Sequence, residues 1–66
     1  MEFVYLLLHE SGSEWEDIIV LLSKEDAIKE SIKRPNYRVE IFSRNNTTGY
    51  IPTYNYYKNG ELMEKE

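Results

Sequence analysis

His9 beside Glu10 is the first place in the sequence where groups able to exchange a proton stand together. His9 is the chain's sole imidazole. Consecutive residues of a strand point to opposite faces, so the two side chains are not expected to converge on one substrate. The pair therefore reads as a strand end without a catalytic role. Glu14, Glu16 and Asp17 form the densest acidic cluster and bring the hard oxygen ligands that magnesium or calcium prefers. In an extended segment Glu14 and Glu16 share a face and Asp17 opposes them, a spacing that matches no cation loop, so the trio reads as a solvated strand start. With no cysteine and one histidine, a structural zinc site cannot be assembled from soft ligands. The three glycines are scattered, with no phosphate-cradling loop, and no serine sits in a nucleophile elbow. The expectation is a chain with no catalytic residues, no cofactor and no metal: not an enzyme.

Two other groups of residues could recognise a partner. Tyr50, Tyr54, Tyr56 and Tyr57 stand beside Ile51 and Pro52. A period of two puts Tyr50, Tyr54 and Tyr56 on one face of a strand, and tyrosine supplies large contact area at low rotamer entropy. These tyrosines, with Ile51 and Trp15, are candidate protein-interface residues; the competing reading is that the rings pack within their own sheet, against Tyr37 and Trp15. Lys33, Arg34, Arg38 and Arg44 lie near Tyr37 and give a local charge of +3 after Glu40 is counted. Basic residues interleaved with an aromatic suit single-stranded nucleic acid, although solvated helix and strand ends look the same.

The overall charge of −4 works against nucleic acid and against an anionic membrane. It is unevenly spread. Residues 1 to 32 carry eight acids against two lysines, a charge of −6, and residues 33 to 66 carry six bases against four acids, a charge of +2. The acidic first half admits an inhibitor or mimic directed at a basic host factor. The apolar run Val4 to Leu8 is too short for a membrane span or a signal core, and Glu2 stands where a positive flank would be needed. The expected location is the cytoplasm, or a host's cytoplasm if the protein is viral. The overlapping sequons Asn45-Asn46-Thr47 and Asn46-Thr47-Thr48 read as loop.

The elements that must position these residues are short. Glu2 to His9 is apolar on both faces, Phe3, Tyr5 and Leu7 against Val4, Leu6 and Leu8. After the turn-forming Glu10 to Ser13, Trp15 to Leu22 reads as a second strand with Trp15, Ile19 and Leu21 opposing Ile18, Val20 and Leu22, and the two read as a central hairpin. Ser23 with Asp26 approximates a capping box, so a helix is expected from Lys24 to about Lys33, ended by Pro35. Its inward stripe would be Ala27, Ile28, Ser31 and Ile32. Tyr37 to Ser43 alternates, with Tyr37, Val39 and Ile41 inward and Arg38 and Glu40 outward. Tyr50 to Tyr57 is rich in strand formers, but Pro52 places it at a sheet edge or forces a bulge. Asn59-Gly60 suits a type I′ turn with Lys58 facing Glu61, before a possible short strand over 61 to 64.

Val4-Tyr5-Leu6-Leu7-Leu8-His9-Glu10, a turn, an apolar strand, and then Leu22-Ser23-Lys24-Glu25-Asp26-Ala27 resembles a group of small uncharacterised ββα proteins of microbes, phages and large DNA viruses. In that group a first hairpin runs into a helix start of the Ser-x-Glu-x-Ala type. The resemblance covers the first half of the chain and implies the fold; it brings no active site with it.

A chain of 66 residues supports one core, and about 60% burial leaves little margin unless something else helps. The expected fold is α+β: one antiparallel sheet of four or five strands in the order β-β-α-β-β(-β), with one helix on one face, in a single domain. One ten-residue helix cannot cover two apolar sheet faces. The expected function is a non-enzymatic protein-binding module, pairing with itself as a homodimer or with another protein through the second face or the tyrosine-bearing edge. The alternative partner is nucleic acid, bound through Lys33, Arg34, Tyr37, Arg38 and Arg44.

Overall fold

In the computed structural model, which describes residues 1–64, the alternating first segment forms strand β1 at Phe3–His9. A turn then leads not into a long strand but into a 3-10 turn at Trp15–Asp17, and only Ile19–Leu21 pairs as strand β2. The long second strand expected from Trp15 is thus replaced at its start by a turn closed by the Asp17 amide bonding to the Glu14 carbonyl. Glu16 and Asp17 lie in its first turn, where orphan amides favour negative charge.

Ser23 caps helix α1, Lys24–Lys33: its extended backbone leaves the side chain free to accept the Asp26 amide at 3.1 Å. The helix ends on Arg34, whose amide reaches the Glu30 carbonyl, directly before Pro35. Glu30 also pairs with Lys33 of the last turn at 3.6 Å and with the C-cap Arg34 at 3.1 Å. Strands β3 (Tyr37–Asn45), β4 (Gly49–Lys58) and β5 (Glu61–Met63) complete one five-stranded antiparallel sheet of order β2-β1-β3-β4-β5. β2 and β3 therefore run parallel with β1 between them, and α1 makes the crossover. The first hairpin is not central, because β2 is an edge.

The helix contributes small residues to the core and the sheet large ones. Ala27 and Ser31, four residues apart, are fully buried against Tyr5, Leu7, Val39, Ile41 and Tyr57, with Leu21, Ile28 and Tyr37 packed around them. A small-residue stripe lets the helix axis approach the sheet, which leaves Ile32, expected inward, 61% exposed. It rolls over the β4–β5 turn instead, where a Cβ on Gly60 would come within 2.9 Å of it. Asn59 (φ +52°) and Gly60 (φ +81°) adopt the positive φ values that the turn requires, and Lys58 faces Glu61.

The β3–β4 ladder changes register by two residues, from Glu40↔Tyr56 to Phe42↔Pro52. Thr53, Tyr54 and Asn55 thus stand opposite Ile41 alone, with Tyr54 at φ +69°, a conformation an aromatic residue adopts only when its surroundings hold it there. Thr53 Oγ1 holds the irregularity, donating to the Ile41 carbonyl at 2.8 Å and accepting the Asn55 amide at 3.1 Å. Two extra residues preserve the alternation, so Tyr50 and Tyr56 remain on the same face.

Candidate interaction surface

The helix packs on the face that carries Tyr5, Leu7, Val39 and Tyr57, and among the described residues no element packs on the other. The register fixes what that open face presents. One row crosses all five strands: Val20, Leu6, Glu40, Tyr56, Met63. The next is Val4, Phe42, Pro52, and Leu8 lies beside Arg38 on the other side. Val20 and Met63, at the two ends of the long row, are exposed, and Leu6 and Tyr56 are half-buried by their neighbours alone.

Charge sits at the middle of this apolar surface. The Glu40 side chain is only 15% exposed although no helix or strand among the described residues covers this face, because Arg38, two residues away on the same face, folds over it. Arg38 Nε is 2.7 Å from Glu40 Oε2 but out of line with its N–H, so the contact is an ion pair without a hydrogen bond and the buried Nε–H is left unpartnered. The guanidinium carbon lies 5.8 Å from the centre of the Tyr56 ring.

The tyrosine series divides accordingly. Tyr56 belongs to the open face, whereas Tyr57 is buried in the core with its ring 6.4 Å from that of Tyr5, and so is not available to a partner. Tyr50 and Ile51 are exposed, and the Tyr50 hydroxyl donates to the Met1 carbonyl at 2.6 Å. Tyr54 is 60% exposed at the register shift. Trp15 is 87% exposed on the 3-10 turn and packs against none of these rings. Nor is β4 an edge along its whole length, since β5 pairs with Tyr56 to Lys58.

The basic residues do not form one surface. Arg34 stacks over Tyr37 at 5.6 Å and pairs with Glu30, on the helix side of the sheet, while Arg38 pairs with Glu40 on the opposite side. Arg44 lies six residues beyond Arg38, roughly 20 Å along β3. Only Arg44 of the arginines has no carboxylate partner among the described residues.

His9 and the acidic trio hold no reactive constellation. His9 Nδ1 meets the Ser11 hydroxyl at 2.7 Å, and its ring stands edge-on to Tyr37 at 5.0 Å. Glu10 pairs with Lys58 at 3.2 Å, and Lys58 also donates to the carbonyls of Pro35 and, at 3.3 Å, Tyr37, tying the helix exit to the first turn. No group of three or more metal-ligating side chains gathers among the described residues, and no helix is long and apolar enough to cross a membrane.

The class these elements define is an α+β sheet protein with one face covered by a helix and the other open. No protein-family model matches the chain, and neither a curated protein nor a solved structure shows significant similarity to it.

Proposed function

We propose that the chain is a non-enzymatic protein-binding module that pairs with a second copy of itself through the open face of its sheet. The observation that carries this reading is the Arg38–Glu40 pair at the centre of an uncovered apolar face. In a two-fold contact each copy meets the same surface of its partner, so a face bearing one cation beside one anion near the axis complements itself. The partner's Glu40 would supply an acceptor to the Arg38 Nε–H that lacks one, in a site dried by Leu6, Phe42 and Tyr56.

The edges of the sheet argue for the face over strand addition: β2 and β5 are three residues each, too short to template a stable ladder, and the part of β4 that β5 leaves open, residues 49–55, is interrupted by Pro52 and by the register shift. The five strands together hold 32 residues, which at strand spacing gives a footprint of about 500 Å² per copy, below the roughly 800 Å² per partner of a standard interface, so the dimer should be of moderate affinity. Sedimentation velocity across about 1 to 500 μM tests it, with a midpoint expected on the order of 10 μM. Leu6→Lys, which places a charge on the open face without touching the core, should leave a folded monomer. A wild-type chain that stays monomeric throughout that range overturns the proposal.

A further inference from the structure

On the helix side of the sheet a second feature has chemistry that the open face lacks. The helix is about 15 Å long whereas β3 spans about 30 Å, so part of the covered face is left bare. A depression of about 260 Å³ lies there, against the first residue of the helix. Phe3, Ile41 and Leu62 supply its apolar lining, Tyr5 and Tyr57 its phenols, and Lys24, Thr53 and Asn55 the remaining polar side chains. Neither phenol hydroxyl hydrogen-bonds to another described residue. Burial and the neighbouring Tyr57 push the Tyr5 phenol above its ordinary range, and the Lys24 charge pulls it part of the way back. The register shift at Thr53 to Asn55 shapes the remaining wall: the strand leaves its ladder opposite Ile41, at the cost of a positive φ at Tyr54.

We infer that this depression binds a small monocarboxylic acid with an aliphatic body, its chain on Phe3, Ile41 and Leu62 and its carboxylate between Lys24 and the two phenols. An anionic head group complements the charge of this largely apolar depression. Beside Asn55 and Thr53, whose hydroxyl is committed to the Ile41 carbonyl, the polar lining is one cation and two phenols without an acceptor among the described residues, and a carboxylate accepts from all three. A neutral or cationic ligand leaves the ammonium unpaired. The volume falls just under the roughly 300 Å³ at which ordinary ligand sites begin, so an occupant of about ten heavy atoms suffices to fill it. The site lies across the sheet from the proposed dimer face and does not depend on it.

Octanoate is the probe, with octanamide as its uncharged counterpart, in amide-resolved NMR titrations of the full chain up to about 5 mM. Octanoate should shift the resonances of Lys24, Tyr5, Ile41 and Tyr57 saturably with a dissociation constant of about 0.1 to 1 mM, and octanamide should bind at least about tenfold more weakly. Lys24→Met, at an exposed helix position, should weaken octanoate to the level of octanamide and so abolish that difference; Leu62→Gln should weaken both ligands. The spectra themselves report whether each variant is folded. Shifts that do not saturate, that scatter over Val4, Leu6 and Leu8 on the open face, or that are equal for the acid and the amide overturn the inference.

Discussion

Ser31 Oγ accepts the Gly60 amide at 2.9 Å and donates to the Ile28 carbonyl at 2.7 Å, so one fully buried helix side chain closes the β4–β5 turn from above. The contact spans 29 positions in sequence and joins the helix to the last hairpin of the sheet. A serine in a helix interior is ordinarily neutral or unfavourable, because its hydroxyl competes for the backbone. Here that hydroxyl is the acceptor without which a turn amide would be orphaned.

Ser31→Ala should therefore cost about 1 to 3 kcal/mol, the penalty of leaving a buried donor unsatisfied rather than that of a lost surface contact. Urea unfolding is the measurement: the midpoint should fall with the slope unchanged. Amide exchange at Gly60 should quicken by more than elsewhere in the hairpin. A midpoint equal to wild type would mean that water replaces the hydroxyl.

Gly60 is constrained twice, by its φ of +81° and by Ile32, whose Cγ1 and Cδ1 lie 2.9 Å from where a Cβ would stand. The left-handed conformation alone costs a non-glycine residue about 1 to 2 kcal/mol, and displacing Ile32 adds to it. Gly60→Ala should lose about 2 kcal/mol or more in the wild-type background, but only about 1 kcal/mol alongside Ile32→Ala, where the clash is gone and the backbone strain remains. A double-mutant cycle by urea unfolding reads the difference directly. Strictly additive losses would place Ile32 elsewhere in solution.

The Tyr5 phenol is raised above its ordinary 10.0, first by burial and then by Tyr57, with Lys24 opposing. The folded state thus favours the protonated phenol more than the unfolded chain does. The sign follows: this contribution is fully present below about pH 10 and is lost as pH rises through the higher folded value. Urea stability measured from pH 8 to 11 should fall above pH 10, and Tyr5→Phe, which keeps the ring and removes the ionisation, should make that fall shallower. An identical alkaline slope in the variant would assign the loss to other tyrosines.

What was legible in the sequence was local chemistry. Ser23 and Asp26 announced the helix start, Pro35 its end and Asn59-Gly60 the turn, because each acts through backbone groups within a few residues. The fold class followed from alternation. What was not legible depends on residues far apart. Trp15 continues the apolar pattern of the strand that follows, but it stands beside Glu16 and Asp17 and has no ladder partner, and the segment coils into a 3-10 turn that leaves Trp15 in solvent. Tyr57 and Tyr56 look alike in sequence, and only the pairing to Val39 and Glu40 sends one into the core and the other to the open face. Arg38 read as one of a basic run until the strand placed it beside Glu40 and across the sheet from Arg34. Pro52 did mark trouble in its strand: the two-residue shift begins immediately after it. The cavity beside Lys24 has no sequence signature, since its lining comes from four strands and a helix terminus.

The central ion pair offers the sharpest test of how two copies would meet. If Arg38 of each copy lies against Glu40 of the other, reversing one charge puts like charges face to face in the homodimer. Arg38→Glu alone and Glu40→Lys alone should each weaken self-association by at least about tenfold, since like charges across an interface are strongly unfavourable. Mixing the two variants is the informative step. In the mixed dimer one copy contributes two acids and the other two bases, so opposite charges meet across the axis and association should return to near the wild-type level. Sedimentation of each variant alone and of the equimolar mixture, with one copy labelled, distinguishes the outcomes. Both variants must first be shown folded by urea unfolding, because each also breaks a contact within its own sheet, at a cost of about 1 kcal/mol for a partly exposed pair. Recovery in the mixture cannot come from that intrachain loss, which both partners retain. Variants that stay monomeric alone and together would move the dimer axis away from Arg38 and Glu40, and unchanged association of either variant alone would remove the pair from the interface altogether.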